Sequence, residues 1–456
     1  MNVSNQETPE AQMGADRARP SRILIDCTET FASGLTTGIQ RVVQKIAGRA
    51  EQLSREIGIP CIVIVTDGVK VRRIPFPVLA PSHNRVGRTR GRIIIDKGRA
   101  IWDRWVEPLV GRLDLRAAAR RSAWILFIMM PMRLRKGTGH LEMEVQKGDL
   151  LLLPDSFWGL GYSVRLAEKA HVIGACVVPI IHDIFPITHP EFADTKNATA
   201  FKAAFARLVS VSHGLLTVSL FTQGEVQTLL TQQGACVPPI RSFRLGADAF
   251  AGASQAIPVR TEIQQLRDLY LMVGTIEPRK GHDTVLDAFD QLWRNGGDAT
   301  LVLVGRVGWR CEEFQRRLDA HPLLKRRLFV FYDATDSDLD YLYKQARALV
   351  IASRVEGFGL PLVEAMRYGV PVIASRIDVF REVGEDYPDY FSVDDAADLL
   401  GILEQYERQG GVTRPPRDWP TWDESALSAM WAAVSLYEDS FARYAAKTVV
   451  RKAQML

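Results

Sequence analysis

The sequence predicts an α/β fold of two Rossmann-like parallel-sheet units facing a cleft. Three observations predict it. Short apolar runs rich in branched residues, such as Ala348–Ala352, alternate with helical periodicities along the chain, as strands covered on both faces by helices require. A length of 456 residues exceeds what one ordinary core accommodates. Residues 237–262 hold three prolines with several glycines and alanines, and this turn-rich stretch separates two such series.

Residues 1–20 are polar and read as a flexible tail, without the apolar core of a signal peptide. The first unit spans 21–245. Its first strand is Arg22–Asp26, followed by a polar, glycine-containing loop over Thr28–Thr37. Gly38 then opens a helix with Ile39, Val42, Val43, Ile46 and Ala50 on one face. Further strands are expected at Pro60–Val65, Asp149–Pro154, Val172–Ile181 and Leu215–Ser219. Phe205–Ser212 reads as helical, and Ser219 caps a helix with Thr222 and Glu225 in its first turns. A linker occupies 246–262. In the second unit, 263–422, strands fall at Leu269–Gly274, Ala299–Val304, Leu328–Phe331, Ala348–Ala352 and Val370–Ser375. Helices fall at Gly281–Asn295, at Asp336–Ala346 and from Leu360 to a stop at Gly369. A last helix within 423–456 places Leu427, Met430, Trp431, Val434, Tyr437 and Phe441 on one face and is expected to return to the first unit.

Hydrophobic residues make up 47% and charged residues 24% of the chain, the proportions of a globular protein. Five scattered cysteines without a Cys-x-x-Cys pair argue against a disulfide framework or a zinc site and fit a reducing cytoplasm. The net charge of +4 conceals an asymmetry: Arg85–Lys136 holds fourteen Arg or Lys against four Asp or Glu, leaving the rest near −6. This basic insertion, about 85–140, points to an anionic partner. It carries Trp102, Trp105 and an apolar run, Ala123–Met132, too short for a bilayer span of about 20 residues. Two readings stand: residues 85–136 lie on an anionic membrane surface, or they form a helical pair packed on their own unit. No nucleic-acid partner is expected.

The chemistry concentrates in two stretches of the second unit. In Ser353–Glu364 (Ser-Arg-Val-Glu-Gly-Phe-Gly-Leu-Pro-Leu-Val-Glu) a two-glycine turn joins a buried strand to a helix. Backbone can approach a ligand there, and the amides of Phe358, Gly359 and Leu360 lie at a positive helix end. Glu356 and Glu364 flank this turn, and carboxylates suit the diols of sugars and ribose. The plain alternative is an ordinary strand–turn–helix with a solvated Glu and a first-turn Glu. The second stretch, Glu277-Pro-Arg-Lys-Gly281, puts Arg279 and Lys280 at a sheet edge before a helix. Cations there oppose the helix dipole, so an anion such as a diphosphate accounts for them. The glycine spacing is not that of a Walker loop. Asp336, Asp338 and Asp340 are read as the start of a helix rather than as metal ligands, and no metal is expected.

These residues resemble glycosyltransferase family 4, the retaining nucleotide-sugar transferases of the GT-B fold. The resemblance rests on Glu277–Gly281, on the Glu-x7-Glu pair Glu356 and Glu364, and on His182-Asp183, Thr217–Ser219 and Thr37–Ile39. It covers roughly 20–445 and is weakest in the basic insertion. It implies that Arg279 and Lys280 hold the donor diphosphate and stabilise the leaving nucleotide. Glu356 and the amides of Phe358, Gly359 and Leu360 would meet the donor sugar, and Glu364 the ribose hydroxyls. His182 would reach the reacting sugar, with a core histidine as the alternative, and Gly38 would let the first loop approach the diphosphate. Retention of configuration is implied by the resemblance alone. The departure from the pattern is Phe331-Tyr332-Asp333 where the family usually has a glycine, which leaves base identity open.

The expected activity is therefore transfer of a hexosyl unit, mannose from GDP-mannose first, to a lipid-linked or polysaccharide acceptor. This resembles bacterial O-antigen and capsule mannosyltransferases, cytoplasmic and peripheral on the membrane face, with the nucleotide sugar as substrate and no cofactor. Two alternatives remain: a nucleotide-sugar epimerase of the same fold, and a non-catalytic partner subunit that binds nucleotide or membrane.

Overall fold

The computed structural model describes residues 19–33, 37–75, 141–248 and 258–454, with side chains described to residue 442. The basic insertion, most of the linker and nearly all of the expected tail lie outside these residues.

The first sheet contains β1 (Arg22–Asp26), β2 (Cys61–Thr66), β3 (Val71–Arg73), β4 (Leu141–Met143), β5 (Asp149–Leu153), β6 (Cys176–Ile181), β7 (Leu215–Thr217) and β8 (Ile240–Ser242). Their order is β4-β3-β2-β1-β5-β6-β7-β8. Pairing is parallel from β2 through β8, whereas β3 runs antiparallel to both β2 and β4. The second sheet is wholly parallel in the order β11-β10-β9-β12-β13-β14. Its strands are β9 (Leu269–Val273), β10 (Thr300–Val304), β11 (Leu328–Phe331), β12 (Ala346–Ile351), β13 (Val372–Ser375) and β14 (Asp389–Phe391). Central strands such as Asp149–Leu153 and Cys176–Ile181 are buried at every position, because helices cover both faces.

Several local expectations need correction. Thr28–Ser33 is a helix, not a loop. Asp26 accepts hydrogen bonds from the Thr28 amide and hydroxyl, and Asp155 accepts from the Thr30 amide. These side chains satisfy the free amides of a helix start, and Asp155 is too distant in sequence to be foreseen. Val172 and Ile173 end a helix, Tyr162–Ile173, which stops at Gly174. They are 85% and 45% exposed, and β6 begins only at Cys176. The helix from Gly38 ends at Ala47, and Ala50 starts a second one, Ala50–Ile57. Ile240–Ser242, within the turn-rich stretch, forms the last strand of the first sheet. Thr261–Gln264, at the end of the expected linker, is a short helix.

The final helix runs Trp422–Gln454. Its Met430, Val434 and Tyr437 are buried in one cluster with Ile23, Leu216 and Val218 of the first unit. Trp431 and Phe441 are 41% and 37% exposed, contrary to the single buried face expected.

Asp338 caps Asp336–Gln345 reciprocally with Thr335 and pairs with Arg260. Asp336 and Asp338 thus open a helix, as their first-turn positions favour.

Candidate active site

A cleft of about 630 Å³ opens between the carboxyl ends of the two sheets, the usual ligand position in open α/β folds. From the first unit, Thr37, Gly38, Arg41, His182 and Asp183 line it; from the second, Glu277, Arg279, Lys280 and Glu356–Pro361. All the predicted site residues except Glu364 face this space.

Its centre is an ion-pair knot. The Glu356 carboxylate accepts from the Arg279 guanidinium at 2.8 Å and pairs with the Lys280 ammonium. The Ser353 hydroxyl donates to it at 2.9 Å. Burial alone would raise the Glu356 pKa, but Lys280 and Arg279 overcome that and hold it at about 2. Arg279 also pairs with Glu277, donates to the Val355 carbonyl, and stacks 4.8 Å over the Phe185 ring of the first unit. The two cations and the glutamate meet because Pro278–Lys280 forms a single 3₁₀ turn after β9. That turn lies beside the loop leaving β12, and Arg354 N–H donates to the Arg279 carbonyl across the join.

Glycines set the loop geometry. A Cβ on Gly357 would lie 1.9 Å from the His182 carbonyl oxygen, so the units touch backbone to backbone here. The Gly357 carbonyl accepts hydrogen bonds from the Ser219 and Thr222 hydroxyls of the first unit, at 2.8 and 3.2 Å. Gly359 has φ +99°, a conformation that favours glycine, immediately before the helix Leu360–Tyr368.

His182 lies in the cleft wall with its Nε2 2.8 Å from the Pro154 carbonyl. Burial lowers its pKa to about 4 despite that bond. The imidazole is therefore neutral, with Nε2–H donating and Nδ1 the bare acceptor. Asp183 beside it is pushed up to about 6 by burial, which Arg279 only partly offsets.

Glu364 departs from expectation. It is 3% exposed and does not line the cleft. One oxygen pairs with Arg41 of the first unit at 2.6 Å, and the other accepts from the Tyr343 hydroxyl at 2.9 Å. Neither Arg41 nor Tyr343 was singled out from sequence, because each meets Glu364 only through the fold. The only prior signal for Arg41 was its place one turn after Gly38.

Among the described residues, no group of three or more His, Cys, Asp or Glu is arranged to hold a metal ion. Among them, too, no helix is long and apolar enough to cross a membrane.

Two parallel-sheet units closing on a cleft with cations at one sheet edge define the GT-B class of nucleotide-sugar transferase folds. The solved structure of Anabaena Alr3699/HepE in complex with UDP and glucose shares this fold at TM-score 0.50 and 16% identity, covering 93% of this chain and 99% of that one. Residues 254–405 match the family model described as glycosyl transferases group 1. A phosphatidyl-myo-inositol mannosyltransferase from Mycolicibacterium smegmatis is 34% identical over 276 residues, 54% of this chain and 69% of the relative. With such a relative and that match, the chain belongs to the glycosyl transferases group 1 family. It is also 34% identical over 277 residues to the serotype-specific mannosyltransferase WbdA of Escherichia coli, covering 58% of this chain. That match spans only 34% of the relative's length.

Proposed function

We propose that the protein transfers a mannosyl unit from GDP-mannose to a lipid-linked or polysaccharide acceptor with retention of configuration. The observation that carries the reading is the knot of Arg279, Lys280 and Glu356 in the cleft. Departure of a nucleoside diphosphate leaves negative charge on phosphate and positive charge on the sugar ring. Fixed cations beside a carboxylate oppose both. Glu277 pairs with Arg279, and the backbone contact at Gly357 holds the two units against each other beside the knot. The relatives named as mannosyltransferases support mannose. The basic, Trp-bearing segment 85–136 supports a membrane-proximal acceptor.

The test is a panel of nucleotide sugars in thermal unfolding. A donor at 100 times its Kd stabilises the native state by about 2.7 kcal/mol, so GDP-mannose should raise the midpoint most. A larger rise with a uridine donor would discard the guanosine assignment. No rise with any nucleotide sugar would discard the reading itself.

A further inference from the structure

We infer that Asp183 is the acceptor-positioning residue, its carboxylate holding the hydroxyl that attacks the donor sugar. This rests on the glycosyl-transfer reading above. Asp183 lies two residues past the end of β6, lines the cleft from the first unit, and faces the loop that carries Glu356. Its Cβ would lie 3.0 Å from a Cβ placed on Gly357. The neighbouring groups are committed: Glu356 to Arg279, Lys280 and Ser353, Glu277 to Arg279, and the His182 Nε2 to Pro154. Asp183 differs. Among the described residues its carboxylate enters no hydrogen bond or ion pair, although Arg279 and Lys280 act on it through space.

A cleft-facing carboxylate with no donor from the protein is open to accept one from a ligand. A sugar hydroxyl is such a donor, and the two cations that act on Asp183 are those assigned to the diphosphate. A hydroxyl held by Asp183 would lie in the same cleft as the cations assigned to the diphosphate, where the donor sugar must also sit. The new bond joins the acceptor oxygen to the anomeric carbon as the carbon–phosphate-oxygen bond breaks. The hydroxyl proton passes to the departing diphosphate oxygen. Asp183 orients the nucleophile and does not keep the proton.

The experiment uses the full chain with GDP-mannose as donor and methyl α-mannoside as soluble acceptor, comparing wild type, Asp183→Asn and Asp183→Ala. GDP affinity is measured by calorimetry and disaccharide formation by chromatography. A hydrogen bond to a charged group is worth roughly a 10- to 100-fold effect. Asp183→Ala should lose transfer by about that factor with a raised KM for the glycoside, while GDP affinity stays within about twofold. Asp183→Asn, isosteric and still offering a carbonyl acceptor, should lose less. Unchanged transfer in Asp183→Ala overturns the assignment, as does a parallel loss of GDP affinity in Asp183→Asn. If the wild type binds neither GDP nor GDP-mannose, the glycosyl-transfer reading fails first and takes this inference with it.

Discussion

Glu356 neutralises two buried cations at once, and its removal exposes what the site costs. Glu356→Gln leaves Arg279 with Glu277 as its ion-pair partner and takes from Lys280 its contact with Glu356, with Asp183 acting on both cations only through space. Breaking a buried pair from one side costs about 3 kcal/mol, and transfer should fall on the order of 100-fold. Denaturant unfolding and donor turnover check the two effects separately. The pH sign follows from the lowered pKa: the Glu356 contribution is present above its ordinary 4.5 and lost as pH falls through about 2. Asp155 and Glu29 behave oppositely, since burial raises each to about 7. Their contribution is full below the ordinary values of 3.8 and 4.5 and is lost as pH rises to about 7. Asp155→Asn should therefore flatten the decline in stability between pH 5 and pH 8, measured by denaturant midpoints. At this scale the second unit was legible: Arg279, Lys280 and Glu356 belong to two short stretches that end strands at one sheet edge. The pairing of Glu364 with Arg41 was not legible, because Arg41 lies more than 300 residues away and no local pattern discloses a pair of that kind.

Elements meet across the cleft through caps as well as through side-chain knots. Glu382, in the helix Asp378–Gly384, accepts from the Leu220 and Phe221 amides at 2.8 and 2.6 Å. It thus caps Leu220–Gln232 of the other unit. Glu382→Ala should cost about 1 kcal/mol and weaken domain closure, read as a larger radius of gyration in solution scattering. Gly357→Ala is the sharper probe. Its Cβ would meet the His182 carbonyl, so the units must part while each keeps its own core. Donor turnover should drop far more than the unfolding midpoint; equal losses would mean that the contact serves stability alone. Helix and strand positions were readable where periodicity and glycine stops agreed, as in Leu360–Tyr368 closed by Gly369. They failed where long-range hydrogen bonds chose the structure, as in Thr28–Ser33.

Across the whole molecule, the parallel character of the second sheet was legible because its strands alternate with helices, whereas the strand order and the edge strand Asp389–Phe391 were not. Nor was the antiparallel pair β3–β4. Its strands are three residues each and are divided in sequence by residues 74–140. Helix Trp422–Gln454 ties the end of the chain to the first sheet through Met430, Val434 and Tyr437. Met430→Ala should cost about 3 kcal/mol, seen in urea unfolding, although the residue belongs to the opposite end of the sequence.

The short β3–β4 ribbon has a practical corollary. Arg73 and Leu141 are cross-strand neighbours, and Ile74 donates to Val63, so the chain leaves and re-enters at the amino edge of the first sheet. Nucleotide chemistry is assigned to the opposite, carboxyl edge. Because Arg73 and Leu141 are already paired, a tight Asn-Gly turn can join the two strands in place of residues 76–140. Such a trimmed enzyme should retain GDP binding in calorimetry, so that any loss of transfer to a natural glycolipid would be traced to the excised cassette.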